Sequence, residues 1–409
     1  MYQREDEVVC GMRDWRNIKL GEVTEINPSL TELKIQNDEI DVSFVPMTAV
    51  NALLGIIDKS ETRKYKEVRK GYTYFRNNDV LFAKITPCMQ NGKVAIARSL
   101  LNSIGFGSTE FHVIRPTVYI LSEWIYLFLR QPTFLLNAAN YMQGAVGQQR
   151  LPEDYLFNTY IPLPPLEEQK RIVGIIDDKL NIIEKLKRSN IKQKENREAL
   201  FKKFLNSVKN NDTKQYLIND FCTLRTGGTP DSTNESYYKN GTIPWLVSGD
   251  IHKGLIKNSE KYITEEGKNH SNAKILPKGS VLIALNGQGK TRGTVAMLEM
   301  EGATCNQSLV SIMPDSNIAL SKYVYFNLLS RYEEIRALTG DNERSGLSIA
   351  KINKIKINLP SIDLQKQIIK KLEKQIDVIN KIGNLLEEQS NNIDYLFPSI
   401  LRQAFQGKL

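Results

Sequence analysis

One stretch has the spacing of a phosphate-binding loop: Ala284-Leu285-Asn286-Gly287-Gln288-Gly289-Lys290-Thr291, with Ala284 where the first glycine would stand. Such a loop holds phosphates on backbone amides, and a helix must open directly after it to supply them. Here Arg292-Gly293-Thr294-Val295-Ala296-Met297 follows, which reads as a turn and a strand. The matching loop in the first half, Lys84 to Gly92, has no such motif. A glycine-rich basic loop between strands is the better reading, and a nucleotide-using enzyme built around Gly289-Lys290-Thr291 is the weaker alternative. Other reactive groups are scattered. His112, His252 and His270 match no zinc spacing, and Cys10, Cys88, Cys222 and Cys305 form no C-x-x-C pair, so no metal site is expected. Neither a G-x-S-x-G elbow nor an H-E-x-x-H pair occurs. Asn27-Pro28-Ser29-Leu30 lacks the second proline and the aromatic residue with which amino-methyltransferases hold a target base. No catalytic residue is assigned.

The remaining polar loops suit recognition. Lys and Arg number 55 against 46 Asp and Glu, a net +9, which allows an anionic partner. In the major groove of DNA, Arg and Lys pair with guanine, and Asn and Gln with adenine. The candidates in the first half are Lys84, Gln90, Asn91, Lys93, Gln148, Gln149 and Arg150; those in the second are Asn286, Gln288, Lys290, Arg292, Asn342 and Arg344. Two segments, Gly144–Leu151 and Gly340–Leu347, stand out because they recur at an offset of 196 residues.

That recurrence extends over the chain. Ile161-Pro162-Leu163-Pro164-Pro165-Leu166-Glu167-Glu168-Gln169-Lys170-Arg171-Ile172 returns as Ile357-Asn358-Leu359-Pro360-Ser361-Ile362-Asp363-Leu364-Gln365-Lys366-Gln367-Ile368 at the same offset, 357 against 161. Asp79-Val80-Leu81-Phe82-Ala83 resembles Ser280-Val281-Leu282-Ile283-Ala284, and Gly92-Lys93-Val94-Ala95 resembles Gly293-Thr294-Val295-Ala296, both at 201. A period this long marks duplication of a whole domain plus a helix, not a solenoid. The apolar runs 80–83 and 281–284 read as buried strands, with 94–97 and 294–297 as strands after a glycine-bearing loop; 124–129 and 323–329 read as helices whose aromatic residues face a core.

The proline-ended segments open long helices. Proline is harmless there, since the first helical amides have no intrahelical acceptor. Ile172, Ile176, Ile183 and Leu186 begin an apolar seam in the first helix; Leu372, Ile376, Ile379, Leu386 and Ile393 run along the second, with Gly383 and Ser390 interrupting. A heptad seam asks for a partner helix, and an antiparallel pair is the simplest solution. It would bring Lys185 and Lys187 near Glu387 and Glu388. The expected fold is mixed α+β, with an internal pseudo-two-fold duplication: a recognition domain at 1–160, a spacer helix at 161–212, a second recognition domain at 213–356, and a second spacer helix with a C-terminal tail at 357–409.

The paired proline-to-Gln-Lys helix entries, together with Phe397-Pro398-Ser399-Ile400-Leu401-Arg402-Gln403-Ala404-Phe405-Gln406-Gly407-Lys408-Leu409, resemble the two conserved regions and the tail of type I restriction–modification specificity subunits. The resemblance covers essentially the whole chain. It implies two target-recognition domains, each reading half of a split, asymmetric site in double-stranded DNA, held apart by an antiparallel coiled coil. It also implies two copies of a methyltransferase subunit and, in the full complex, two restriction subunits. S-adenosylmethionine, ATP and magnesium would belong to those partners and none to this chain, which would be a non-catalytic recognition subunit. A stand-alone sequence-specific DNA-binding regulator is the other open alternative. No run of 18 or more apolar residues occurs, and Met1-Tyr2-Gln3-Arg4-Glu5-Asp6-Glu7 is too charged for a signal peptide, so a cytoplasmic location with no membrane partner is expected.

Overall fold

The computed structural model describes residues 15–52, 55–145, 147–209, 213–287, 290–338 and 346–409. The chain forms two compact units. One runs to Asn190 and takes in Glu388–Leu409; the other is Ile191–Glu387. The divisions fall inside two long helices, Leu166–Asn206 and Ile362–Phe405, so each helix gives residues to both units.

In the first unit, a four-stranded sheet has the order Thr24–Ile26, Phe111–Pro116, Val80–Ala83, Val94–Ile96, antiparallel throughout. A second has the order Glu61–Lys64, Asp41–Val45, Ile104–Gly107, Thr73–Arg76, with one parallel pair between Asp41–Val45 and Ile104–Gly107. Val80 and Phe82 face one apolar cluster and Leu81 faces another. A strand buried on both faces needs an uninterrupted apolar run, which is what 80–83 shows.

The second unit repeats this plan. Cys222–Thr226, Leu309–Pro314, Val281–Ala284 and Val295–Leu298 lie in the same order, with Leu255–Ile256 added at the edge. Ile243–Leu246 pairs parallel with Thr304–Cys305 and antiparallel with Tyr262–Ile263. Val281 and Ile283 face one cluster, Leu282 and Ala284 another. The helices expected from the aromatic runs are Ser122–Leu129 and Ser321–Ser330, and Trp124 and Tyr323 are fully buried in them.

Each long helix is fastened to its own unit by the same hydrogen bonds. Gln169 Nε2 donates to Tyr119 O (3.0 Å) and Pro164 O (2.8 Å), and its Oε1 accepts from Leu121 N (2.9 Å). Gln365 Nε2 donates to Ile318 O (3.1 Å) and Pro360 O (2.9 Å), and its Oε1 accepts from Leu320 N (2.9 Å). Both side chains are fully buried. A buried amide must find its partners inside the protein, which gives the recurring glutamine a physical role. Trp124 Nε1 donates to Pro162 O and Tyr323 Oη to Asn358 O, both at 2.8 Å, fixing the strand that leads into each helix.

Within each unit the two helix segments run antiparallel. In the first, Arg171 donates to Leu409 O (2.7 Å), Lys187 pairs with Asp394 (2.7 Å) and Asn190 Nδ2 donates to Gln389 Oε1 (3.0 Å). Lys187 therefore meets Asp394, seven residues beyond the Glu387 suggested by charge alone; exposed charges set register weakly. Ile172, Ile176 and Ile183 are buried in the seam, but Leu186 is 37% exposed, and the buried position one turn on belongs to Asn190. In the second unit Leu372, Ile379 and Leu386 are buried and Ile376 half-buried; Ile393 is buried in the first. The break at Gly383 has a cause: Arg197 lies against it, and its Nε donates to Ile379 O at 3.0 Å. No helix among the described residues is long and apolar enough to cross a membrane.

Candidate nucleic-acid interface

Lys84 follows strand Val80–Ala83, and there the chain meets the segment that precedes the first long helix. Leu151 N donates to Lys84 O (2.8 Å), Thr86 N to Gln149 O (3.0 Å), and Gln149 N to Thr86 Oγ1 (3.1 Å). Gln143 and Arg150 exchange backbone hydrogen bonds of 2.9 and 2.8 Å, which closes a hairpin, and Gln148 N donates to Ala145 O (2.9 Å). Gly144 and Gly147 have φ of +119° and +85°, a backbone that side-chain-bearing residues avoid. The tip is exposed: Gly144, Ala145, Gly147 and Gln148 face solvent, and Gln149 is half-buried.

Two buried or shielded groups hold the hairpin's returning leg. The Arg150 guanidinium grips Glu110 with both Nε (2.8 Å) and Nη2 (2.7 Å), and Nη1 reaches Gln148 O (3.4 Å). The bonds from Arg150, with the nearby charge of Lys84, hold the Glu110 carboxyl below its ordinary range. Two residues on, buried His112 bonds through Nε2 to Leu151 O (2.8 Å) and through Nδ1 to Asn27 Nδ2 (3.1 Å). Burial pushes the imidazole pKa down, so it is neutral: Nε2–H donates to the carbonyl and Nδ1 accepts from the amide. Asn27 holds this pose with φ +53° and accepts from Val113 N (3.0 Å).

The second unit builds the same junction from different side chains. Leu347 N donates to Leu285 O (3.0 Å) and Leu285 N to Ser308 O (2.8 Å), matching Leu151 with Lys84 and Lys84 with Glu110. Gly346 occupies the place of Arg150 and lies so close to Asn286 Oδ1 that a Cβ there would stand 2.3 Å from it. Asn286 and Lys290 are exposed and Arg292 half-buried. Lys290 O accepts from Tyr332 Oη (2.9 Å) and Thr294 Oγ1 (2.7 Å). After Thr291 come a turn and the strand Val295–Leu298, so no helix N-terminus follows the lysine. Gln288, Gly289, Asn342 and Arg344 lie outside the described residues.

The structure thus brings Lys84, Gln149 and Arg150 to one edge beside the loop that carries exposed Gln90 and Asn91. Lys93 is tied by its amine to Met47 O (3.0 Å). Sequence reasoning missed Glu110 and His112, which hold the hairpin; neither has a sequence signal, because each acts across 39 or 40 residues. A cleft of about 820 Å³ near the hairpin, lined by Asn140, Tyr141, Gln143, Asp154, Tyr155 and Tyr160 among others, has no Lys or Arg in its lining and does not suit a phosphate. No group of three or more His, Cys, Asp or Glu side chains poised around a metal position occurs among the described residues.

These features define a class: a duplicated mixed α/β scaffold in which equivalent edges, set at the entry to paired long helices, carry different side chains. The sequence family described as the type I restriction modification DNA specificity domain matches twice, over residues 12–193 and 210–389. The chain belongs to that family. It is 33% identical over 211 residues to the type I restriction enzyme EcoAI specificity subunit of Escherichia coli, covering 51% of this chain and 35% of that one. It is 32% identical over 270 residues to the EcoEI specificity subunit of the same organism, covering 62% and 45%. The matches therefore span less than half of those relatives. Among solved structures, a chain from a study of complex assembly and conformational transition of the type I R-M system superposes with a TM-score of 0.79 at 20% identity, covering 98% of this chain and 100% of that one. The HsdS subunit from Thermoanaerobacter tengcongensis superposes at 0.65, also at 20% identity, with 97% of each chain covered. Both likenesses bear on the fold.

Proposed function

We propose that this chain is the DNA-specificity subunit of a type I restriction–modification enzyme, reading one half of a split, asymmetric site with each unit. The observation that carries the proposal is the repetition of one fold with unlike edges: exposed Gln148 with half-buried Gln149 and Lys84 in one unit, exposed Asn286 and Lys290 in the other. A symmetric dimer reads a palindrome. A duplicated chain whose two edges differ is suited to two different half-sites, with amide side chains matched to adenine and cations to guanine or phosphate. The long helices, which give residues to both units, would set the gap between the half-sites.

In this reading the chain supplies recognition and no chemistry. S-adenosylmethionine would be bound by a methyltransferase subunit, present in two copies, and ATP and magnesium would serve two restriction subunits in the full complex. The work would be done in the cytoplasm. The test is co-expression with the cognate methyltransferase subunit in a host free of DNA methylation, followed by genome-wide mapping of modified bases. The expected product is one motif of two short half-sites around a fixed gap, with adenine methylated on both strands. An assembled complex that methylates nothing, or a chain that binds its site tightly without partners, would count against it.

A further inference from the structure

Arg150 has the side chain expected of a guanine reader, yet three of its five N–H donors are already engaged within the protein. A bidentate contact to guanine O6 and N7 uses one edge of the guanidinium. The Nε–Nη2 edge is held by both oxygens of Glu110, and Nη1 is turned to Gln148 O, in the same hairpin as Arg150. Charge-assisted bidentate pairs of this kind are among the stronger hydrogen-bonded contacts. The carboxylate also neutralises the arginine and stands beside it, which disfavours a phosphate at the same place. Meanwhile, at the tip, Gly144 and Gly147 have positive φ and Gln148 N donates to Ala145 O.

We infer that the Glu110–Arg150 pair is a clamp that sets the pose of the 143–151 hairpin, and that Gln148 at its tip is the side chain of this segment that meets DNA. This rests on the DNA-recognition reading above and goes further by dividing the segment into a positioning residue, Arg150, and a contacting one, Gln148. The clamp is a property of the first unit alone, since Ser308 and Gly346 stand at its two positions in the second. In the second unit the leg is bonded by Leu347 N to Leu285 O, and Gly346 leaves no room for a side chain beside Asn286.

The experiment uses the chain assembled with its methyltransferase subunit. R150Q, E110Q, the reversal E110R/R150E and Q148A are compared with the unaltered protein for affinity at the mapped site across salt concentration, and for the methylated motif. A clamp predicts that R150Q and E110Q weaken binding alike, by about two- to fivefold, as expected for loss of one partly exposed pair. The motif and the slope of affinity against salt stay unchanged, and the reversal binds more tightly than either single variant, close to the starting affinity. Q148A relaxes a single position of one half-site. A phosphate contact by Arg150 would instead lower the salt slope of R150Q by about 0.9, and a base contact would relax one position in R150Q while E110Q binds as well as before; either result overturns the clamp. Amide exchange of the DNA-free chain gives a second reading. Gln149, Arg150 and Leu151 amides should exchange faster in both R150Q and E110Q, and unchanged protection would also overturn it. Absence of a split motif from the unaltered complex counts against the recognition reading, whereas the exchange result judges the clamp by itself.

Discussion

Single buried polar side chains decide how the recognition edges are held, and their worth can be measured. Gln169 and Gln365 each close three hydrogen bonds at a helix entry with no access to water. Replacement by Ala leaves two carbonyls and an amide without partners, each costing on the order of 1 kcal/mol or more. We predict a loss of about 2–4 kcal/mol for Gln169→Ala, felt in the first unit, and the same for Gln365→Ala in the second, read from denaturant midpoints. A loss below about 1 kcal/mol would mean that water replaces the side chain. His112 gives a pH signature. Its folded pKa is lowered by burial, while the unfolded residue titrates near 6.5. As pH falls below about 6.5 the unfolded chain takes up a proton that the folded one refuses, so stability falls with falling pH until the folded value is passed. Comparing His112→Gln with the unaltered chain at pH 7.5 and pH 5.5 should show a smaller acid loss in the variant; equal losses would place the titration elsewhere. The sequence displayed the glutamines through their repetition, but it offered nothing for His112, whose partners Asn27 and Leu151 lie 85 and 39 residues away.

At the scale of elements, local periodicity carried most of the reading. Apolar runs placed the central strands, prolines placed the helix entries, and the strand order then matched between units. Where prediction and structure part, a tertiary contact overrides the pattern. Leu186 fits the heptad but lies outward, because the buried seam position goes to Asn190 and its bond to Gln389. A polar seam residue of this kind fixes register at some expense of stability. Gly383 looks like a flaw in a helix, since Gly is about 1 kcal/mol worse than Ala there. It makes room for the Arg197 guanidinium, whose Nε bonds Ile379 O; a Cβ would stand 2.9 Å from that group. Arg197 is a long side chain and can swing away, so Gly383→Ala should be close to neutral: the gain in helix propensity offsets a lost hydrogen bond of about 1 kcal/mol. In an Arg197→Ala background the same change should stabilise by about 1 kcal/mol. A double-mutant cycle tests this, and coupling near zero would show that the glycine does not serve the arginine.

For the whole molecule, the informative fact is which unit the last residues join. The tail follows the second unit in sequence but packs into the core of the first: Leu401, Ala404 and Phe405 are buried there with Trp124, Phe128, Ile172 and Ile176. Phe405 lies against Trp124 at a ring-centroid distance of 4.4 Å and edge-on to Phe128 at 5.6 Å. The repeat in the sequence announced two equivalent modules, yet it could not say that the first is completed only by the far end of the chain, since periodicity reports local pattern and not closure. Truncation of a core phenylalanine costs roughly 3–5 kcal/mol, a large share of the roughly 5–15 kcal/mol that holds a typical domain. Phe405→Ala should therefore weaken the first unit severely, and removal of residues 397–409 should unfold it, while the second unit, which takes no residue beyond Glu387, keeps its stability. Trp15 and Trp124 lie in the first unit and Trp245 in the second, so Trp245→Phe leaves fluorescence to report on the first unit alone. The truncated chain should then show the emission of exposed tryptophan before any denaturant is added, while amides in 213–287 remain protected from exchange. Loss of protection in both units together would mean that they fold as one cooperative body. Native emission from the truncated chain would show that the first unit closes without its tail.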